Sequence, residues 1–216
     1  MGNLEQARFN MVEQQIRPWD VLDVRILDLL SAVKRENFVP TDRQSMAFMD
    51  MEIPLGHGAS MWSPKLEARA LQILQVKGSD RVLEIGSGSG YLTALLAHLA
   101  KHVTSIEFVP ELHAFAKKNL AAHQIQNVTL EPGDAAQGWP GTYDVIVLTG
   151  SVPVLPKAFL NSLNPEGRLF AIVGDEPVMH ARLIRCLAPG KFEAETIFET
   201  VVAPLQNALP PERFIF

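Results

Sequence analysis

An α/β fold is predicted: a doubly wound, mostly parallel sheet, preceded by an N-terminal helical cap and followed by a C-terminal antiparallel hairpin. Three observations predict it. From Arg81 onward, short apolar runs alternate with helix-length segments, the pattern of parallel strands joined by crossover helices. The run Val82-Leu83-Glu84-Ile85 breaks at Gly86-Ser87-Gly88-Ser89-Gly90 and then becomes helix-like from Tyr91 to Ala100, a strand–loop–helix unit. Ahead of it, residues 1–80 carry helical spacing and prolines instead of alternation.

Taken in order, Leu4, Ala7, Met11, Val12 and Ile16 give a helix over 4–16 that ends before Pro18. Val24, Ile26, Leu27, Leu29 and Leu30 give a second, with Asp20 or Asp23 as its cap. Residues 33–40 form a connector, and Pro40 and Pro54 mark 40–64 as mostly loop. Ser63-Pro64 opens a third helix with Leu66, Ala70, Leu71 and Leu74 on its inner face. Strands are then expected near 81–85, 103–107, 128–131, 143–149 and 168–173, and helices near 90–100, 110–122 and 154–163. Late strands near 180–187 and 192–202 turn through Pro189-Gly190. With 216 residues, 47% of them hydrophobic, one domain is expected: cap and loop over 1–80, an α/β core over 81–175 and C-terminal strands over 176–216.

Charge and composition exclude several classes of function. A net charge of −5 and the lack of any lysine- or arginine-rich run argue against a nucleic-acid-binding surface. No window approaches the apolar length of a membrane span, and the N-terminus has no signal core. The single cysteine, Cys186, has no internal partner, which suits a reducing, cytoplasmic compartment and reads as a small core residue. The sequence leaves the oligomeric state open.

The glycine loop gives a tight turn and lets backbone N–H groups approach a ligand at a helix N-terminus. Its spacing is G-x-G-x-G; Tyr91 stands where a dinucleotide fingerprint needs its third glycine. Gly86, Ser87, Gly88 and Gly90 are therefore candidate cofactor-binding residues. Glu107, closing the strand after Val103, is placed for the two hydroxyls of a ribose. Asp134, beside Gly133 and Ala135 after a third strand, is placed to accept from an adenine amino group, with Ala135 alongside. Glu84 is a further strand-end acid read as facing ligand. These three signals in this order resemble a class I S-adenosylmethionine-dependent methyltransferase, with its Rossmann-like fold; the alternative is another adenine ligand such as NAD.

A longer set of segments narrows the resemblance. Met11-Val12-Glu13-Gln14-Gln15-Ile16, Val33 to Pro40 (VKRENFVP), and Phe48-Met49-Asp50 with Ile53-Pro54-Leu55-Gly56 are similar to the protein-L-isoaspartate (D-aspartate) O-methyltransferase family. So are Val82 to Gly86 with Ser89-Gly90-Tyr91, Gly138-Trp139-Pro140, and Gly167-Arg168-Leu169 with Val173-Gly174. The resemblance implies S-adenosylmethionine as cofactor, no metal, and a protein or peptide substrate bearing isoaspartate.

One departure stands out. The family's active-site segment reads like G-Q-T-I-S-x-P, whereas this chain has Gly58-Ala59-Ser60-Met61-Trp62-Ser63-Pro64. Ser60 takes the threonine's place, Ala59 the glutamine's, and Trp62 that of the serine near the transferring methyl group. Ser63 substitutes for that serine only if the loop shifts by one residue. The candidate catalytic residues are therefore Ser60 and Trp62, with Trp62 either walling the acceptor pocket or packing under the cap. Two alternatives to an isoaspartyl acceptor follow from it: a different acceptor, or a catalytically silent scaffold that binds the cofactor. Of the remaining polar residues, Asp50 divides evenly between backbone bonding and substrate contact. His57 reads as a loop residue, and His98 and His102 read as solvent-facing instead of a metal pair.

Overall fold

The computed structural model describes residues 2–210. Its centre is a seven-stranded sheet in the order β5-β4-β3-β6-β7-β8-β9. The strands are β3 (Arg81–Ile85), β4 (His102–Glu107), β5 (Val128–Pro132), β6 (Tyr143–Val152), β7 (Leu163–Asp175), β8 (Val178–Ala188) and β9 (Lys191–Thr200). Pairing is parallel from β5 through β7 and antiparallel from β7 to β9, with the last hairpin turning at Pro189-Gly190 as predicted.

Alternation along the strands builds two cores. Val82, Val145, Val147, Phe170 and Ile172 belong to one, with the N-terminal helices α2 (Val24–Ala32) and α3 (Pro64–Leu74) and the crossover helix α4 (Tyr91–Leu99). Leu83, Ile85, Ile146, Leu148, Leu169 and Ala171 belong to the other, with Phe159 of α6 (Lys157–Asn161). Helix α5 (Pro110–Ala122) makes the crossover from β4 to β5. It lies so close to the glycine loop that a Cβ on Gly90 would stand 3.2 Å from the Ala116 Cα.

The N-terminal region departs from expectation in detail. The predicted helix 4–16 is α1 (Gly2–Asn10) followed by one wider, π-type turn over Met11–Ile16, which buries Met11, Val12 and Ile16 together. Asp23, and not Asp20, caps α2: its carboxylate accepts from the Arg25 N–H at 2.9 Å, while Asp20 adopts a left-handed conformation outside the helix. The connector forms a 3-10 turn over Arg35–Asn37 that inserts Arg35 and Phe38 fully into the interior. The stretch taken as mostly loop contains another 3-10 turn, Thr41–Met46, and a small hairpin of β1 (Ile53–Gly56) and β2 (Ala59–Met61). Gly56, His57 and Gly58 all take positive φ, which turns the chain back within two residues, and Ile53 pairs with Met61 in the core. Helix α6 is shorter than 154–163, because Pro156 delays its start and β7 begins at Leu163.

Candidate active site

Parallel strands deliver their C-terminal ends to one edge of the sheet, where a doubly wound fold opens its ligand cleft. Here the ends of β3, β4, β5 and β6 present Gly86-Ser87-Gly88, Glu107, Gly133-Asp134-Ala135 and Thr149-Gly150 to a single cleft of about 980 Å³, open solvent at its mouth included. The β1–β2 hairpin closes one side with Leu55, Gly58, Ser60, Met61 and then Trp62. Of the residues singled out from the sequence, Ser60, Trp62, Gly86, Ser87, Gly88, Glu107, Asp134 and Ala135 all meet on this wall. Gly90 does not line it; its positive φ and its packing against Ala116 make it a turn and helix-contact residue.

The glycine loop is shaped by close approach. A Cβ on Gly86 would overlap the Thr149 hydroxyl, which donates to the Gly86 carbonyl at 2.8 Å. Gly88 has φ +54, and a Cβ there would come within 3.1 Å of the Leu55 side chain across the cleft. The Gly88 N–H donates to Glu107 Oε2 at 2.8 Å, and the Val109 N–H to Glu107 Oε1 at 3.0 Å. Glu107 is thus fixed on the cleft wall, with one backbone donor on each oxygen and further acceptor capacity on both. Asp134 accepts from the Ala136 N–H at 3.1 Å and from Asn207 Nδ2 at 2.7 Å. The Trp139 ring packs so tightly under this turn that a Cβ on Gly133 would meet it at 2.8 Å.

Glu84 corrects the expectation of ligand contact. It shares the face of Val82, points under α4 and is fully buried, bound by the Thr93 and Ser105 hydroxyls. Desolvation pushes its pKa up to about 8, against the two hydroxyls that lower it. At pH 7 Glu84 is a neutral acid and part of the core.

Trp62 is buried, 4% exposed, with its ring edge-on to Phe170 at 6.1 Å between centroids. It is both cleft wall and packing residue. Its carbonyl accepts from Arg35 Nη2 at 2.7 Å, which fixes the loop from behind. Ser63 stands at the N-cap position of α3, without a side-chain capping bond, and lies off the cleft, so the loop has not shifted to bring it into the serine's place.

Among the other candidates, Asp50 binds Lys65 Nζ at 2.7 Å and stays off the cleft. His57 turns the hairpin and offers its carbonyl to Gln206. His98 bonds the Ala94 carbonyl and His102 the Thr129 hydroxyl. Among the described residues no group of three His, Cys, Asp or Glu side chains is gathered to hold a metal. Cys186 is buried on β8.

Two parts of the wall were missed by sequence reasoning. Glu52 and Glu67 line the cleft, and burial raises the pKa of both, that of Glu67 to about 7. For Glu67 a signal existed: it stands three, four and seven residues before Ala70, Leu71 and Leu74, on the inner stripe of α3. The second is a C-terminal strap. Val202 to Gln206 cross the mouth, held by Ser151 N–H to the Ala203 carbonyl at 3.0 Å and by Gln206 Nε2 to the His57 carbonyl at 2.8 Å.

A family model described as protein-L-isoaspartate(D-aspartate) O-methyltransferase matches residues 6–209. The chain belongs to the protein-L-isoaspartate O-methyltransferase family. A protein of that name from Myxococcus xanthus is 36% identical over 190 residues, covering 86% of this chain and 90% of the relative. One from Yersinia enterocolitica is 36% identical over 202 residues, covering 92% and 95%. Among solved structures, a putative protein-L-isoaspartate O-methyltransferase from Plasmodium falciparum, in complex with S-adenosyl-L-homocysteine, superposes with a TM-score of 0.80 at 19% identity, over 92% of this chain and 98% of its own. That likeness shows the Rossmann-like methyltransferase fold. The family match runs through residue 209, so it includes the strap as well as the glycine loop.

Proposed function

We propose that this protein transfers a methyl group from S-adenosylmethionine to the free carboxylate of isoaspartyl residues in proteins or peptides. The observation that carries it is the single cleft in which the glycine loop and strand-end acids of an O-methyltransferase family member meet the segment Gly58 to Trp62. The wall fits the cofactor. Gly86 and Gly88 hold the loop where a Cβ would meet Thr149 or Leu55, and Glu107 and Asp134 accept from the ribose and the adenine. Among the described residues the cleft's charged side chains are Glu52, Glu67, Glu107 and Asp134, with no lysine, arginine or histidine, which suits a cationic ligand.

S-adenosylmethionine supplies a methyl group on a sulfonium leaving group. An acceptor carboxylate is already ionised at pH 7, so no side chain must remove a proton. The residues here act by orientation and by excluding water: Ser60 offers a hydroxyl to the acceptor, Trp62 walls the reacting end, and the strap closes the mouth. No helix among the described residues is long and apolar enough to cross a membrane. The lone buried Cys186 accords with action in a reducing, cytoplasmic compartment.

The deciding assay is transfer of labelled methyl to an isoaspartyl peptide, with its aspartyl isomer as control and cofactor binding measured on the same sample. Transfer to the isoaspartyl form alone is expected. Tight cofactor binding with no transfer to either peptide would sink the acceptor assignment and favour the second reading, a different acceptor, for which the bulk of Trp62 in the serine's place is the specific observation.

A further inference from the structure

Glu67 is an acid with half of its hydrogen-bonding capacity assigned. It lies in the first turn of α3, is 3% exposed, and its remaining accessible edge belongs to the cleft wall. Arg35, fully buried, pairs with its Oε2. Among the described residues its Oε1 accepts no hydrogen bond. Arg35 is held in turn by the Trp62 carbonyl and lies over the Tyr91 ring, 5.0 Å from its centroid. Glu67 therefore stands where the acceptor loop, the first residue of α4 and the glycine loop converge.

The rest of the cleft fixes what reaches that point. Asp134 and Ala135 mark the adenine end, Glu107 the ribose, and the glycine loop comes next along the sheet edge. Glu67 lines the same cleft from α3, apart from those three strand ends, which leaves it to the amino-acid tail of a ligand laid along that order. That tail carries an α-ammonium group, and a buried carboxylate with an open oxygen is its complement. The Arg35 pair makes the site usable: it compensates the carboxylate before ligand arrives, so an ionised Glu67 is not left unpaired in the core.

We propose that Glu67 receives the α-ammonium group of the cofactor's amino-acid tail. The assignment rests on S-adenosylmethionine being the cofactor, and it gives this chain an ammonium-binding side chain on α3, outside the glycine loop and the strand-end acids.

Calorimetry with three probes tests it: S-adenosylhomocysteine, its analogue lacking only the α-amino group, and 5′-methylthioadenosine, which lacks the whole tail. Wild type is expected to bind S-adenosylhomocysteine at least tenfold more tightly than the deaminated analogue. Glu67→Gln is expected to abolish that difference while leaving the affinities for the other two probes within twofold. Equal weakening for all three would make Glu67 a structural residue and overturn the proposal, as would an unchanged difference. Wild type that binds none of the three would instead refute the cofactor assignment itself.

A wild-type measurement covers the case in which the variant does not fold. The groups facing Glu67 are Arg35 from the 35–37 turn, Tyr91 from α4 and Glu84 from β3, and only the two acids change charge between pH 6 and 8. With Glu67 at about 7, its ionised fraction falls about tenfold from pH 8 to pH 6. The preference for the α-amino group is expected to shrink by a similar factor. A preference constant across that range overturns the proposal.

Discussion

The amide of Asn207 donates to the carboxylate of Asp134 at 2.7 Å, tying the C-terminal strap to the acid that ends the third strand-end turn of the cleft. Gln137 Nε2 in turn holds the Asn207 carbonyl at 3.0 Å. The strap and the adenine end of the cleft are thus one hydrogen-bonded unit. Asn207→Ala removes a hydrogen bond to a charged group, worth about 1.5 kcal/mol, so cofactor dissociation is expected to accelerate about tenfold. Stopped-flow release of S-adenosylhomocysteine reads it, and an unchanged rate would separate the strap from retention.

At the glycine loop, Gly86→Ala drives a methyl group into the Thr149 hydroxyl, and Gly88→Val places a branched side chain against Leu55 at positive φ. Both variants are expected to lose measurable binding of S-adenosylhomocysteine. Retained affinity in either would remove that glycine from the cofactor site.

Glu84 makes stability depend on pH in a defined direction. Its folded pKa, about 8, lies above the ordinary value of 4.5, so the folded state holds a proton that the unfolded chain releases. That contribution is complete below about pH 4.5 and is lost as pH rises through 8. Glu84→Gln, which mimics the neutral acid, is expected to match wild type near pH 4 and to melt higher at pH 9, by about 2–4 °C for each 1 kcal/mol. Parallel melting curves at both pH values would contradict a neutral Glu84.

Arg168 binds the Leu74 carbonyl at 2.7 Å, the Gln75 carbonyl at 2.7 Å and Asp80 at 2.6 Å, closing the end of α3 onto β7. Arg168→Met leaves Asp80, 5% exposed, without its cation, and is expected to cost about 3–5 kcal/mol. Urea unfolding measures this; a loss below 1 kcal/mol would show that the pair contributes little.

Replacing Trp62 separates its two roles. Trp62→Ser opens a cavity beside Phe170 and is expected to destabilise by about 3–5 kcal/mol. In protein that stays folded at low temperature, it should raise isoaspartyl methylation by clearing the acceptor end. No gain, with cofactor binding intact, would mean that the acceptor site differs by more than one side chain.

The parallel core was legible because each strand carries its own apolar run and each crossover its own helix signal. The glycine loop and the turn at Pro189-Gly190 are likewise local. Asp23 capping α2 is local too, whereas Asp20 could be set aside only once Arg69 was seen to bind it at 2.8 Å across 49 residues. Glu84 is instructive: period 2 puts it on the face of Val82, so its burial was readable, but its hydroxyl partners come from β4 and α4. The burial of Glu67 was readable in the same way from the inner stripe of α3, but its partner Arg35 was not. The strap was missed because it is set by Ser151, His57 and Asp134, partners far away in sequence whose contacts leave no spacing pattern.

The bond from Gln206 to the His57 carbonyl spans 149 positions. Chain synthesis therefore supplies the glycine loop, both strand-end acids and Trp62 well before the segment that crosses the mouth. A nascent chain short of the strap has the walls of the cleft without its lid, and closing that long loop is an ordering step left until the end. The complete cleft wall is confined to chains long enough to include the strap.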